Sequence, residues 1–230
     1  LACLKKSCIT DVTVVGGYKA ESLVSSEYKL IVNNEYATTN MVSSLSLALG
    51  SIRESTIILY GDIAYTPQLI KEVLCSPHEF TLPVDTNWKS YWSRRSVNYL
   101  DDAESLKIAE DGKLLEIGKP LLSPEQAEAQ YMGIIYVKGN GSSLLRSALD
   151  GCYKFEDLNL RTCDLTSLLQ CLISKSYGIN ALKTSETWIE LDTFQDYHSE
   201  VLNERIKVID SLVFPNSNDE LLISSSPRVD

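Results

Sequence analysis

The sequence predicts an α/β fold, a Rossmann-like three-layer sandwich built on a mostly parallel sheet with one antiparallel hairpin inserted in it. Two observations carry that expectation. Short apolar, β-branched runs alternate along the 230 residues with amphipathic stretches of helical length, and strands that alternate with helices build parallel sheets covered on both faces. Two adjoining runs, 105–110 and 113–117, break the alternation around Asp111-Gly112, a turn pair suited to a tight hairpin.

The elements follow in order. Residues 1–8 read as the last turns of an amphipathic helix that feeds straight into a strand at 12–15. Further strands are expected at 29–32, 56–60, 80–84, 133–137, 179–182 and 188–191, and helices at 20–25, 41–51, 67–75, 142–149, 165–174 and 193–209. Thr66-Pro67 supplies an N-cap followed by proline at the first helical position, and Asp164 can cap the helix after it. The expected domain runs over 1–211. The stretch 212–230, rich in Pro, Asn and Ser, reads as an extension or linker.

Composition narrows the function. With 21 basic and 31 acidic side chains the net charge is −10, which argues against nucleic acid as a partner because phosphate neutralisation needs a basic face. The only histidines are His78 and His198, too few for a multi-histidine metal site and a poor basis for a Ser-His-Asp triad. The six cysteines show no C-x-x-C pair and read as reduced core residues. No apolar run approaches the roughly 20 residues of a membrane span, so a cytoplasmic protein is expected.

Three constellations could carry chemistry. The run Thr56-Ile57-Ile58-Leu59-Tyr60-Gly61-Asp62 places a carboxylate at the carboxyl end of a central strand, the edge where open α/β sheets bind ligands; the plain alternative is a capping Asp. Alternation over Trp188-Ile189-Glu190-Leu191-Asp192 puts Trp188, Glu190 and Asp192 on one face. Two carboxylates so placed repel unless protonated, solvated or bridged by a cation, and with Asp62 they offer hard oxygen ligands suited to Mg²⁺; the alternative is a solvated edge strand. Residues 85–95 hold Trp88, Tyr91, Trp92, Lys89, Arg94 and Arg95, a mixture fit for a phosphate and a cationic head group or for a protein interface. The glycines at Gly16-Gly17 follow the first strand but lack the dinucleotide or P-loop pattern.

The ordered set resembles the nucleotidyltransferase superfamily of sugar-phosphate activating enzymes. The resemblance is carried by residues 11–19, by 33–40 with Ser44-Leu45, and by Tyr60-Gly61-Asp62-Ile63. Residues 85–88, Asp102-Ala103-Glu104, Ile117-Gly118-Lys119, 130–133, Leu168-Leu169-Gln170 and 188–192 look like the branch that activates phosphocholine or 2-aminoethylphosphonate with CTP. That resemblance implies a nucleotide-diphospho-sugar transferase type of fold. It also implies a Mg²⁺-dependent transfer of CMP from CTP to a small zwitterionic phosphate or phosphonate, releasing pyrophosphate.

By the same resemblance Asp62 and Asp192 match the metal carboxylates, with Glu190 a third, and Lys119 matches the lysine that neutralises the acceptor phosphate. Thr39, Asn40 and Ser44, with Gly61, match the approach to the nucleotide. Trp88, Trp92, Tyr131 and Trp188 are expected to cage an ammonium, Asp102 or Glu104 to counter its charge, and Arg94 to bind the acceptor phosphonate. The family's glycine-rich signature is expected upstream of Leu1. Without it the chain lacks the triphosphate grip, so the reading expects some tens of preceding residues or an inactive fragment. A sugar-1-phosphate nucleotidyltransferase and a non-catalytic nucleotide-binding module of the same fold stay open, as does a homodimer.

Overall fold

The computed structural model describes residues 1–96, 98–151 and 158–215; Val97, Cys152 and most of the tail expected at 212–230 lie outside these. Eleven strands and seven α-helices follow in the order α1 (Ala2–Lys6), β1 (Thr13–Gly16), β2 (Lys29–Val32), α2 (Met41–Leu47), β3 (Ser55–Leu59), β4 (Ile63–Tyr65), α3 (Pro67–Leu74), β5 (Phe80–Asp85), α4 (Trp88–Arg95), β6 (Glu104–Ile108), β7 (Leu114–Pro120), β8 (Gln130–Tyr131), β9 (Ile134–Lys138), α5 (Asn140–Leu149), α6 (Leu165–Ser174), β10 (Asn180–Thr184), β11 (Trp188–Glu190) and α7 (Glu200–Val213). The helix expected at 41–51 stops at Leu47 and continues as a 3₁₀ turn, and 193–209 divides into a 3₁₀ turn, Phe194–His198, and α7. Helix α7 runs on to Val213, whose side chain is in the core.

The central sheet has the order β10-β5-β9-β3. β10 runs parallel to β5, β9 antiparallel to both β5 and β3, so β10, β5 and β3 point one way and end at a common carboxyl edge. β1 and β2 form a separate parallel pair. Alternation along the strands sorts the core into two layers. Phe80, Leu82, Val84, Ile135, Val137 and Ile58 face a cluster formed with α2, α5 and α6. Ile134, Tyr136, Ile57 and Leu59 face a second one built with α3, α4 and α7. All six residues of β5 are buried, as a strand at the centre of a covered sheet requires.

Pro83 sits inside that central strand and has no N–H to give. On the side away from β10, β5 pairs with β9 only at Phe80 and Thr81 and with β8 only at Val84 and Asp85, so the proline falls where the neighbouring chain has left the ladder. In that gap Gly133 takes φ +69°, a conformation that favours glycine, and its carbonyl accepts from the Tyr60 amide at 2.9 Å. The detour sets Tyr60 and Tyr131 edge to face, with ring centroids 5.8 Å apart. The hairpin β6–β7 is antiparallel. Its turn is wider than the two-residue type expected: Gly112 donates to Ala109 and Ala109 to Lys113, with Gly112 at φ +87°, a three-residue loop that needs glycine at its last position.

Gly141, in the first turn of α5, lies against strand β5's lead-in, and a Cβ there would meet the Glu79 carbonyl oxygen at 2.0 Å. Gly141→Ala is therefore expected to lower stability by about 3 kcal/mol, whereas Gly50→Ala, whose Cβ meets nothing within 4 Å, should stay within about 0.5 kcal/mol of wild type. Urea denaturation of the two variants checks the contrast.

Candidate active site

At the carboxyl edge of β3 the chain turns through Gly61 and Asp62 into β4, which pairs antiparallel with β11. Ile63 lies opposite Glu190, and the Leu191 amide donates to the Asp62 carbonyl at 2.9 Å. Two segments more than a hundred residues apart thus bring Asp62, Glu190 and Asp192 to one place. Burial raises the Asp62 carboxyl above the usual carboxylate range, and the charge of Asp192 adds to it. Glu190 is pushed up to about 8, by burial first and then by Asp192, against the opposing Arg95 guanidinium. Asp102 is raised as well, by burial and by Asp192.

The counter-charge comes from α4. Trp88, Tyr91, Trp92 and Arg95 recur at i, i+3, i+4 and i+7 and form its inner face. Arg95, whose side chain is 5% exposed, donates from Nε to Asp196 Oδ1 and from Nη2 to Asp196 Oδ2, each at 2.9 Å, and from Nη2 to Asp192 at 2.6 Å. Its Nη1 lies 3.5 Å from Glu190 and 3.6 Å from Asp102, and the Trp92 ring centroid is 5.3 Å from Cζ. Asp196 is itself fixed by a capping box: its carboxylate accepts the amides of Asp192 and Thr193 at 2.9 Å. Against the upward pull of burial, the bonds from Arg95 hold Asp196 down at about 2.

A second wall adjoins the first. Glu104, at the start of β6, accepts from Thr166 Oγ1 at 3.3 Å, and burial together with the charge of Asp164 raises its carboxyl. Asp164 caps α6 through the Ser167 amide at 2.7 Å. Gly118, at φ +88°, lets β7 pass so close that a Cβ would meet Thr166 at 2.9 Å, which ties the hairpin to the start of α6. The Tyr131 hydroxyl is buried without a hydrogen-bond partner, and burial and the charges of Tyr60, Glu104 and Glu190 all raise it. The two tyrosines therefore stand between the Glu104 side and the Glu190 side of one acidic recess.

On a third side Asn33, buried at the end of β2, donates from Nδ2 to Thr39 Oγ1 and to Ser44 Oγ, both at 3.0 Å, and accepts the Glu35 amide. Asn40 caps α2 through the Met41 amide at 2.7 Å, and its own amide donates to the Arg161 carbonyl at 3.0 Å. Arg161 closes the corner with a two-pronged pair to Glu35 at 2.7 and 2.9 Å.

No protein-family model matches the chain. It is 29% identical over 212 residues to the CTP:phosphoglutamine cytidylyltransferase of Campylobacter jejuni subsp. jejuni serotype O:2, a match that covers 86% of this chain and 83% of the relative. Among solved structures it superposes on the inositol-1-phosphate CTP transferase of T. maritima with a TM-score of 0.68 at 16% identity, covering 91% of this chain and 80% of that one. A protein described as a glucose-1-phosphate thymidylyltransferase of Bacillus anthracis, in complex with sucrose, follows with TM-score 0.61 at 12% identity, covering 89% and 79%. The chain is thus similar in sequence to a cytidylyltransferase and in fold to two further nucleotidyltransferase structures. At those identities the two structures speak for the shared α/β fold.

In this structure the expected carboxylates converge, while much of the expected aromatic cage does not. Trp88, Trp92 and Trp188 are 1%, 4% and 1% exposed and pack in the core; Trp188 Nε1 donates to the buried Asp85 at 3.0 Å. Large apolar rings on the inner face of a helix or strand are taken up by the hydrophobic layer, which leaves Tyr131, joined by Tyr60, at the recess. Arg94 points away on the outer face of α4 and pairs with Glu204 at 2.8 Å; Arg95, one residue on, is the inward arginine. Lys119 is on the exposed hairpin rim, where its amine pairs with Glu116. Thr39, Asn40 and Ser44 do come together, around Asn33. Gly61 is exposed, and a Cβ there would meet nothing within 4 Å.

Among the described residues no group of three or more His, Cys, Asp or Glu side chains is placed to hold a metal ion by itself, and no helix is long and apolar enough to cross a membrane. The donor chemistry nevertheless fits a hard cation. Mg²⁺ takes one or two carboxylates and completes its shell with water and substrate phosphates, and Asp62, Glu190 and Asp192 are oxygen donors of that kind. Arg95 and Asp196 were legible only as pattern, the one from the helical stripe it ends, the other from Thr193-x-x-Asp196, a capping-box spacing.

Breaking a buried ion pair on one side strands the other charge, at a cost of about 3 kcal/mol. Asp196→Asn should lose that much at pH 7. Because the folded carboxyl titrates near 2 and the unfolded one near about 3.9, the wild-type advantage is complete above the latter and fades as pH falls through the former. Chemical denaturation of both proteins between pH 7 and pH 2 reads it.

Proposed function

We propose that this protein is a nucleotidyltransferase that transfers CMP from CTP to a small phosphate- or phosphonate-type acceptor with a cationic end, with Mg²⁺ held by Asp62, Asp192 and Glu190. The observation that carries the reading is the meeting of these three carboxylates at the carboxyl edge of the sheet, in a chain whose relative is a cytidylyltransferase. An acceptor oxygen attacks the α-phosphorus; the new O–P bond forms as the bond from that phosphorus to the bridging oxygen breaks, and pyrophosphate leaves. When bound, the cation neutralises phosphate charge and offsets what develops in transfer.

The chain's own residues divide the remaining work. Asn33 holds Thr39 and Ser44 at the start of α2, where hydroxyls and the N-terminal amides can accept the nucleoside. Lys119, on a flexible stem at the hairpin rim, can leave the exposed Glu116 pair for an acceptor phosphate, because a surface ion pair is worth at most about 1 kcal/mol. The acceptor's cationic end suits Glu104 and Asp102, beside the rings of Tyr60 and Tyr131, where a desolvated ammonium gains from both charge and ring faces. Phosphocholine, 2-aminoethylphosphonate and phosphoglutamine, the compound named for the relative, all join an anionic end to an ammonium.

Pyrophosphate release from CTP with each of these acceptors and Mg²⁺ tests the reading; no release with any of them overturns it. Asp62→Asn and Asp192→Asn are expected to slow turnover by at least about 10²-fold while keeping the wild-type circular dichroism. Glu104→Gln should raise the acceptor KM about tenfold, a loss of roughly 1.4 kcal/mol, and leave the KM for CTP unchanged. A sugar 1-phosphate accepted in preference to every ammonium-bearing compound would replace the acceptor class.

A further inference from the structure

Arg95 has a place in this recess beyond bracing it. Three features of its surroundings bear on that place. Its guanidinium is buried, and its fork is divided between two carboxylates: Nε and Nη2 grip Asp196, while Nη2 also reaches Asp192 at 2.6 Å. Asp196 is locked from behind by two backbone amides, whereas Asp192 lies two residues past the end of β11 and is one-third exposed. The two grips are therefore unequal, one anchored and one releasable. Finally, Nη1 lies at the outer limit of ion pairing to Glu190 and Asp102, so a single cation stands among four carboxylates.

We propose that Arg95 is a positioning residue that takes the cation's place in the free enzyme: it keeps Asp192 drawn toward Glu190 without metal, and it yields that one hydrogen bond, while keeping Asp196, when the divalent ion binds. The inference rests on the reading of Asp62, Glu190 and Asp192 as metal ligands. Its physical consequence is competition. A fixed positive charge bonded to one of the ligands opposes a second cation, so metal alone binds weakly, and it binds well only with a triphosphate that contributes its own negative charge and oxygen donors. No covalent bond changes; the exchange moves one guanidinium hydrogen bond from the Asp192 carboxylate to water or phosphate.

The test measures Mn²⁺ binding by electron paramagnetic resonance, with and without CTP, in wild type and in Arg95→Gln, whose amide can still donate to Asp196. The expected result is Mn²⁺ affinity at least tenfold higher in nucleotide-free Arg95→Gln, with a smaller gain from adding CTP than in wild type. Unchanged or weaker affinity in a variant with the wild-type circular dichroism overturns the inference. Because the variant could be poorly folded, a second readout uses wild-type protein alone. In nitrogen-15 spectra of the arginine side chains, Mg²⁺ with CTP should free the hindered Nη of one buried guanidinium and leave its Nε–H in place; no change in any guanidinium signal overturns the exchange. Wild type that binds no Mn²⁺ even with CTP refutes the metal reading and the inference with it, whereas binding without a difference refutes the inference alone.

Discussion

The arrangement of the recess depends on one guanidinium. Asp102, Glu190, Asp192 and Asp196 come from the lead-in to β6, from β11 and from the turn after it, and carboxylates gathered in this way repel one another. Arg95 reverses the sign of that interaction by offering each of them a donor. A charge so thoroughly buried is tolerable only because carboxylates pair with it, and a network of this kind is costly to leave half satisfied. The same contacts tie α4 to β11, so the packing of the second hydrophobic layer and the geometry of the carboxylates are not independent.

Around that point the recess is shaped by interruptions in regular structure. Pro83 removes one donor from the middle of the central strand, and the chain beside it leaves the ladder between β9 and β8. Gly133 takes up the detour, which turns Tyr60 and Tyr131 toward the acidic groups. On the other wall Gly118 permits a backbone approach to Thr166 that a side chain would block. The regular sheet supplies rigidity, and the breaks bring polar side chains from separate elements together.

The aromatic segment shows how residue type alone misleads. Two tryptophans, a tyrosine, a lysine and two arginines suggest a cage and an anion site, because those residues serve both. The helical stripe from Trp88 to Arg95 separates the two uses. Its rings face the core and bury a large apolar area, its last member carries charge to the carboxylates, and Arg94, one step off the stripe, faces Glu204 in solvent. Similar logic applies to Asp196, which a three-residue spacing from Thr193 marks as a cap and which the tertiary structure also makes the anchor of Arg95.

What the sequence by itself determined was whatever depends on local order. Alternation and helical spacing specified the α/β class, most of the strands and helices though not α4 or β4, the hairpin around Gly112, and carboxylates near the ends of β3 and β11, because side-chain direction along a strand or helix follows from backbone geometry. Only the tertiary structure decided that β9 runs against its neighbours, that β4 pairs with β11 so that Asp62 meets Glu190 and Asp192, that the tryptophans are core, and that Arg95 rather than Arg94 is the buried cation. Those outcomes depend on which distant segments share an interface. Burial and charge are settled there by competition among all the packed groups, and no local pattern encodes that competition.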